Sequence, residues 1–337
     1  MTSTGHRCYT DMNFNVNSNN EPPLIIACAG DDKFSLPMAI MLYSVMVNSR
    51  GSNVEVYILN AGISVNNQNK ITKLLAPFFG GEGKLHWIKP NYQKLLDLPV
   101  KDALPLAAWY RLLIPEVLPP EIGKVIYLDC DLLVEKDITR LQKYSVDDYY
   151  LLAVTDRKKT MSKSALAKSE SFNDVGNQPY FNSGFMVMNL DLIRKEKIVD
   201  KAIYFGYKNS DLISCADQDA LNAVSIGKWS ELDPSYNIFV KKTKDNCPFL
   251  YESECILHFI GSKKPWMPDR TVFRWSNDIG FAHRRYHEYM RRSGWFSDIE
   301  WFCYLCKCHY YQHIGNRVKN FYLAVKKFNQ DYRKILN

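Results

Sequence analysis

A chain of 337 residues, 46% apolar and 23% charged, has material for one large core or for a core with an appended piece, which excludes a disordered or fibrous protein. No run approaches the roughly 20 apolar residues that cross a bilayer, and the first residues lack the basic, apolar and small-residue order of a signal peptide, so a cytoplasmic location is expected. The net charge of +7 is unevenly placed: from Phe281 onward 11 Lys+Arg face 4 Asp+Glu, while the preceding residues balance, as in a neutral body with a basic appendage.

In chain order, Met1–Pro23 is polar and Asn-rich and reads as a disordered lead-in. Leu24–Ala29 is an apolar run ending in Gly30-Asp31-Asp32, the pattern of a buried strand breaking into a loop, and Phe34–Asn48 reads as a helix. Val54–Leu59 and Lys84–Ile88 are further strands, with a helix over Asn66–Leu75 between them and a loop at Gly80–Gly83. Lys124–Leu128 is the clearest core strand and runs straight into Asp129-Cys130-Asp131; Tyr149–Thr155 and Gly184–Asn189 supply two more. This alternation predicts an α/β domain with a mixed, mostly parallel sheet flanked by helices. The ligand crevice of such a sheet lies beyond the carboxyl ends of its strands, where Asp31, Asp129 and Asp156 are expected.

Asp129 and Asp131 stand at i and i+2, so on a continuing strand both carboxylates would project from one face toward a common hard cation, Mg²⁺ or Mn²⁺. The plainer alternative is a solvated turn after a strand. His258-Phe259-Ile260-Gly261-Ser262-Lys263-Lys264-Pro265-Trp266 follows the apolar pair Ile256-Leu257. Its imidazole could complete a carboxylate-bound Mn²⁺ site, Gly261 admits backbone amides to a phosphate, and Lys264 can neutralise diphosphate charge. A structural histidine and a solvated lysine are the competing readings. Together the two segments supply what transfer from a nucleoside diphosphate sugar requires, a cation on the phosphates and a cationic side chain for the leaving group.

The chain resembles the family 8 glycosyltransferases, a group that includes bacterial lipopolysaccharide galactosyl- and glucosyltransferases and glycogenin. The carrying segments, in order, are Ala29-Gly30-Asp31-Asp32, Asn60-Ala61-Gly62-Ile63-Ser64, Tyr110-Arg111-Leu112, Val125–Asp131, Tyr180-Phe181-Asn182-Ser183-Gly184, Asp217-Gln218-Asp219 and His258–Trp266. The resemblance implies a GT-A-like fold, a UDP-hexose donor carrying galactose or glucose, Mn²⁺ or alternatively Mg²⁺, and retention of anomeric configuration on transfer to a saccharide or lipid-linked acceptor. It implies Asp129, Asp131 and His258 as metal ligands, Gly261 and Lys264 as diphosphate contacts, Ala29 and Asp31 as the holders of uracil and ribose, and Cys130 as a further nucleotide contact. Arg111, Asn182, Ser183, Asp217 and Gln218 match positions around the donor sugar, with Gln218, Asp217 and Arg111 as the catalytic candidates. Read without the resemblance, Arg111 is a surface helix cation, Asn182 a turn former and Asp217 a helix cap. Asp156 matches a carboxylate near the sugars. Lys33 replaces the small amide of related galactosyltransferases and is left out of the binding set. Retention needs either a covalent intermediate, for which the Gln218 amide is a poor nucleophile and Asp217 a candidate, or attack on the face that UDP leaves, which is the preferred reading.

The expected division is a lead-in over 1–23, a catalytic domain over 24–270 and a basic, aromatic extension over 271–337. Arginines beside Tyr, Trp and Phe, as in Arg284-Arg285-Tyr286 and Arg291–Phe296, suit an anionic membrane surface, and no nucleic-acid motif is present. A helical extension packed on the body is the plainer alternative. Cys303, Cys306, Cys308, His309 and His313 could bind Zn²⁺, although an apolar helix face burying thiols is favoured. Nine scattered cysteines do not form a secreted disulfide framework. Residues Arg157–Gln178 are expected to face the acceptor. Two rival functions are a nucleotidyltransferase and a UDP-sugar-binding protein without catalysis.

Overall fold

A computed structural model describes residues 22–49, 53–79, 84–100, 106–161, 177–240, 254–261, 264–267 and 278–308. The polar lead-in up to residue 21, the Gly80–Gly83 loop, residues 162–176 of the expected acceptor segment, and His309 and His313 lie outside the described residues.

The strands in chain order are β1 (Leu24–Gly30), β2 (Val54–Asn60), β3 (Leu85–Ile88), β4 (Lys124–Leu128), β5 (Leu132–Val134), β6 (Leu151–Thr160), β7 (Pro179–Asn189), β8 (Trp229–Glu231), β9 (Ile238–Phe239) and β10 (Ile256–His258). The helices are α1 (Ser35–Asn48), α2 (Val65–Phe79), α3 (Leu106–Trp109), α4 (Ile114–Val117), α5 (Leu190–Lys195), α6 (Ile198–Lys208), α7 (Asp217–Val224) and α8 (Asp278–Arg292). Seven strands form one sheet in the order β3-β2-β1-β4-β7-β6-β8, and β5-β10-β9 form a second, smaller one. From β3 through β4 the pairings are parallel; β7 runs antiparallel to both β4 and β6, and β8 is parallel to β6. The mixed, mostly parallel α/β sheet matches the expectation.

The core shows why the central strands read as continuous apolar runs. Ile26 and Cys28 of β1 pack with α1, α2, β5, β10 and the aromatic side of α8, whereas Ala27 and Ala29 face the layer built from α4, α5, α6 and α7. With both faces of a strand covered, alternation toward solvent disappears. Helix α2 keeps a one-sided pattern, burying Ile71, Leu75 and Phe79, and it runs through Pro77 past the expected end because Phe79 packs into the core.

Two expectations are corrected. Strand β6 continues to Thr160, so Asp156 lies within the strand and not at its end, and β7 begins at Pro179, five residues before the expected start. Asn182 is therefore a buried strand residue, not a turn former. The polar side chains of Asn182 and Ser183 hid this strand, because they are satisfied by distant partners that a local pattern does not reveal.

The basic extension is helical in its described part, through α8 and a second helix over 298–308. It docks on α1: the Tyr43 hydroxyl donates to the Arg292 carbonyl at 3.2 Å and the Asn48 amide to the Tyr289 hydroxyl at 2.9 Å. Among the described residues no helix is long and apolar enough to cross a membrane.

Candidate active site

The Asp129-Cys130-Asp131 segment is a turn joining β4 to β5, so the two carboxylates converge through that turn and not through strand pleating. The buried Cys130 thiol points inward, donating to the Ala29 carbonyl at 3.2 Å, so only its backbone is presented to the crevice. Burial drives the thiols of Cys28 (to about 12) and Cys130 upward, so both stay protonated in this interior.

His258 arrives from 127 residues away because β10 pairs with β5, setting His258 opposite Leu132. Its Nε2 lies 3.1 Å from Asp131 Oδ1 and 4.0 Å from Asp129 Oδ2. The ligand atoms of Asp129, Asp131 and His258 all fall within 4.8 Å of one another, a donor set that fits a divalent cation of the Mn²⁺ or Mg²⁺ kind. Strand β7 passes directly behind this group, and a Cβ at Gly184 would overlap His258 Cε1 and stand 2.9 Å from Asp129 Oδ2. Only glycine lets the strand lie there.

The orientation of His258 is set by a chain of amides. The backbone N–H groups of Ser183 and Gly184 donate to Gln218 Oε1 (3.1 Å) and Asn182 Oδ1 (3.0 Å), which turns the Asn182 Nδ2 toward Gln218 Oε1 at 2.9 Å. Asn237 Nδ2 then donates to Asn182 Oδ1 at 2.8 Å, leaving Asn237 Oδ1 to accept from His258 Nδ1 at 2.9 Å. The proton is held on Nδ1, and Nε2 is the nitrogen that faces the carboxylates. Asn237→Leu is accordingly expected to weaken Mn²⁺ binding by about 10- to 100-fold, the usual effect of losing such an outer partner. A titration followed by electron paramagnetic resonance would measure this, and an affinity equal to that of the parent protein would refute it.

Lys264 Nζ lies 2.6 Å from Asp131 Oδ2 and 2.7 Å from the Phe259 carbonyl. Burial works to raise the Asp131 carboxyl, but His258, when its Nε2 carries a proton as well, and Lys264 hold it below the ordinary carboxylate range. Gly261 adopts φ +88°, a conformation that favours glycine, and a Cβ there would meet open space.

On the other flank, the buried Arg111 joins the carboxylates of two elements. Its guanidinium pairs with Asp129 Oδ1 and with Asp217 Oδ2, each at 2.9 Å, and donates to the Ser183 carbonyl at 2.8 Å and hydroxyl at 3.1 Å. It stacks on the Tyr127 ring at 4.6 Å, while the Tyr127 hydroxyl donates to Asp129 Oδ1 at 2.8 Å. Arg111 is thus an interior bridge and not a surface cation. Asp217 opens α7 without capping it; burial pushes its carboxyl up to about 7, with Arg111 pulling against this, and the Ser183 hydroxyl donates to it at 3.0 Å.

Both ends of the Gln218 amide are engaged: Nε2 donates to the Tyr180 hydroxyl at 3.1 Å and to Asp156 Oδ2 at 3.4 Å, and Asn182 Nδ2 also reaches Asp156 at 3.3 Å. Asp219 holds the loop before α7, accepting from the backbone N–H groups of Ser214 and Cys215, each at 2.7 Å, and from the Tyr180 hydroxyl at 2.6 Å. That loop ends in Ala216 at φ +47°, a strained backbone position for a residue with a Cβ, and it aims Asp217 and Gln218 inward.

At the β1 end, Asp31 accepts from the Lys33 N–H at 3.0 Å and Lys33 is exposed. Asp32 ties this loop to the next one, accepting from the Ser64 N–H and the Asn67 amide, each at 2.8 Å. The structure therefore brings Asp129, Asp131, His258, Lys264, Arg111, Asn182, Ser183, Asp217, Gln218 and Asp156 into one bonded network, with Ala29 joined to it through Cys130. Sequence reasoning missed Asn237, Tyr127, Tyr180 and Asp219. Of these, Tyr127, Tyr180 and Asp219 stand inside recognised segments, whereas a buried amide such as Asn237 leaves no spacing pattern. Cys308 is buried while Cys303 and Cys306 are exposed, so these three thiols do not converge, and among the described residues the Asp129, Asp131 and His258 group alone has metal-ligand geometry.

A family model described as glycosyl transferase family 8 matches residues 25–269. The chain is similar to the general stress protein A of Bacillus subtilis (strain 168), 30% identical over 257 residues covering 72% of this chain and 86% of the relative. It is similar to the lipopolysaccharide 1,2-glucosyltransferase of Escherichia coli (strain K12), 24% identical with 88% and 94% covered. The fold superposes on the galactosyltransferase LgtC, solved with donor and acceptor sugar analogs, at a TM-score of 0.67 and 20% identity, covering 83% of this chain and 100% of that one.

Proposed function

Because the chain belongs to glycosyl transferase family 8, we propose that it is a retaining hexosyltransferase that moves galactose or glucose from a UDP donor to a saccharide or lipid-linked acceptor, with Mn²⁺ as its cation. The carrying observation is that Asp129 belongs to both halves of the site, to the cation group with Asp131 and His258 and, through Arg111, to Asp217 beside Gln218. A bound cation would supply charge neutralisation on the diphosphate as the glycosidic bond breaks. Lys264 stands beside it to absorb leaving-group charge, and Ala29 and Asp31 at the end of β1 receive the nucleoside.

Two features favour attack on the face that UDP leaves. The Gln218 amide is held at both ends, and the Asp217 carboxylate is buried against Arg111 and Ser183, so neither is a ready nucleophile. These groups instead position the sugar and shape its electrostatic surroundings. Asp156, within reach of the Gln218 and Asn182 amides, is suited to a sugar hydroxyl. Family membership removes the nucleotidyltransferase reading, and a silent UDP-sugar binder becomes an outcome of the test. Arg285 is turned inward to the buried Glu135, but the exposed Arg291 and Arg292 of α8, with the exposed Ile299 and Phe302, suit an anionic membrane surface, which fits a lipid-linked acceptor.

The test is UDP release by the purified protein with Mn²⁺, offered UDP-galactose and UDP-glucose separately. Slow hydrolysis of one donor, abolished by chelation, is the expected result. Tight binding of a donor without any turnover, with or without acceptor extracts, would instead make the protein a silent binder.

A further inference from the structure

The family match ends at residue 269, yet the helices beyond it are bonded to the loop that carries Lys264. Lys264 presents its Nζ to Asp131, and the adjoining residue is Pro265, which has no N–H, so its backbone can be tied down only through its carbonyl. That carbonyl accepts two hydrogen bonds, both from the extension: one from His287 Nε2 at 2.7 Å and one from the Tyr304 hydroxyl at 3.1 Å. Both donors are buried, and burial lowers the His287 pKa, favouring a neutral ring with its proton on Nε2. The ring of the next residue, Trp266, packs between Phe34 of the body (6.3 Å) and Tyr286 of α8 (5.8 Å), and Tyr286 in turn packs edge-on to Phe259 at 5.3 Å.

A lysine has a flexible four-carbon stem, so its ammonium can serve a phosphate only if the backbone beneath it is held. The three metal-ligand candidates sit on the β4–β5 turn and on β10, which the pairing of β10 with β5 and β9 already holds in place. We propose that the C-terminal helices form part of the donor site, with His287 and Tyr304 as positioning residues that pin the Pro265 carbonyl and so hold Lys264 toward the diphosphate of the donor. This rests on the proposed role of Lys264 as a diphosphate contact. It makes the basic extension a structural component of nucleoside diphosphate binding in addition to any surface it offers to a membrane.

The experiment uses the full chain and measures UDP affinity by calorimetry at saturating Mn²⁺ for the parent protein, His287→Ala, His287→Gln, Tyr304→Phe, the doubly substituted His287→Ala/Tyr304→Phe protein, and each combined with Lys264→Ala. His287→Ala and Tyr304→Phe are each expected to weaken UDP binding several-fold, and together by about tenfold, while Mn²⁺ affinity stays at the parent value. His287→Gln, which keeps a donor near the Nε2 position, is expected to retain most of the affinity. In the Lys264→Ala background the same substitutions should have no further effect, the non-additivity that marks action through Lys264. Equal losses with and without Lys264 would show a general packing role and overturn the proposal, as would unchanged affinity in the mild Tyr304→Phe and His287→Ala pair. If the parent protein itself fails to bind UDP, the donor reading falls and this role falls with it; binding by the parent with no change in the variants overturns this inference alone.

Discussion

Asp131→Ala is expected to lower Mn²⁺-dependent UDP release by about 10³-fold or more. Its carboxylate serves three neighbours at once: His258 Nε2 at 3.1 Å, Lys264 Nζ at 2.6 Å, and the cation it is proposed to share with Asp129. Loss of several kcal/mol of transition-state charge stabilisation, at about 1.4 kcal/mol for each factor of ten, gives that magnitude. Asp131→Asn keeps the shape but not the charge, and it is expected to lose nearly as much activity because an amide oxygen is a weaker ligand and cannot pair with Lys264. Mn²⁺ affinity should fall in parallel with turnover, and thermal unfolding should remain a single cooperative transition. Turnover within tenfold of the parent protein would remove Asp131 from the cation site.

The second large effect is on stability as well as activity. Arg111→Ala is expected to destabilise the fold by about 3–5 kcal/mol, because it strands the buried Asp217 carboxylate and deprives Asp129 of a partner. In a protein of this size that lowers the melting temperature by about 4–7 °C. Arg111→Lys should recover only part of the loss, since a single ammonium cannot span Asp129, Asp217 and the Ser183 carbonyl together. The pairing argument makes a sharper claim: Arg111→Leu combined with Asp217→Asn should melt higher than Arg111→Leu alone while remaining inactive. Scanning calorimetry on the four variants reads this out directly, and an Arg111→Ala protein melting within 1 °C of the parent would show that the bridge contributes little.

These effects rest on contacts of unequal visibility in the sequence. Strands β1 and β4 were legible because both faces are covered, so their residues form continuous apolar runs that end at Gly30 and at Asp129. The carboxylates at 129 and 131 were legible as a chemical pair, and of the two geometries left open, a continuing strand or a turn, the structure has the turn. They converge in a turn, and the His258 that completes the group is delivered by pairing of two three-residue strands too short to leave a period. Without the resemblance Asn182 reads as a turn former because local pattern penalises an amide in a strand; its partners Gln218, Asn237 and Asp156 are 36, 55 and 26 residues away. Likewise, Asp217 read as a cap for α7, where the structure gives the loop-holding work to Asp219 and pairs Asp217 with Arg111.

By itself the sequence determined the alternating α/β architecture, the strand that leads to the two carboxylates, the family, and the types of residue available for a cation and a diphosphate. The reason is that burial periodicity and ligand chemistry are properties of single segments. Only the tertiary structure decided that β5 and β10 would bring His258 to Asp131, that Asn237 would orient it, that Arg111 would bridge Asp129 to Asp217, and that two helices outside the family match would bond to the loop of Lys264. Each of these is a directional contact between buried polar groups far apart in the chain. Such groups persist in a core only when satisfied, and topology alone determines which distant partner satisfies them.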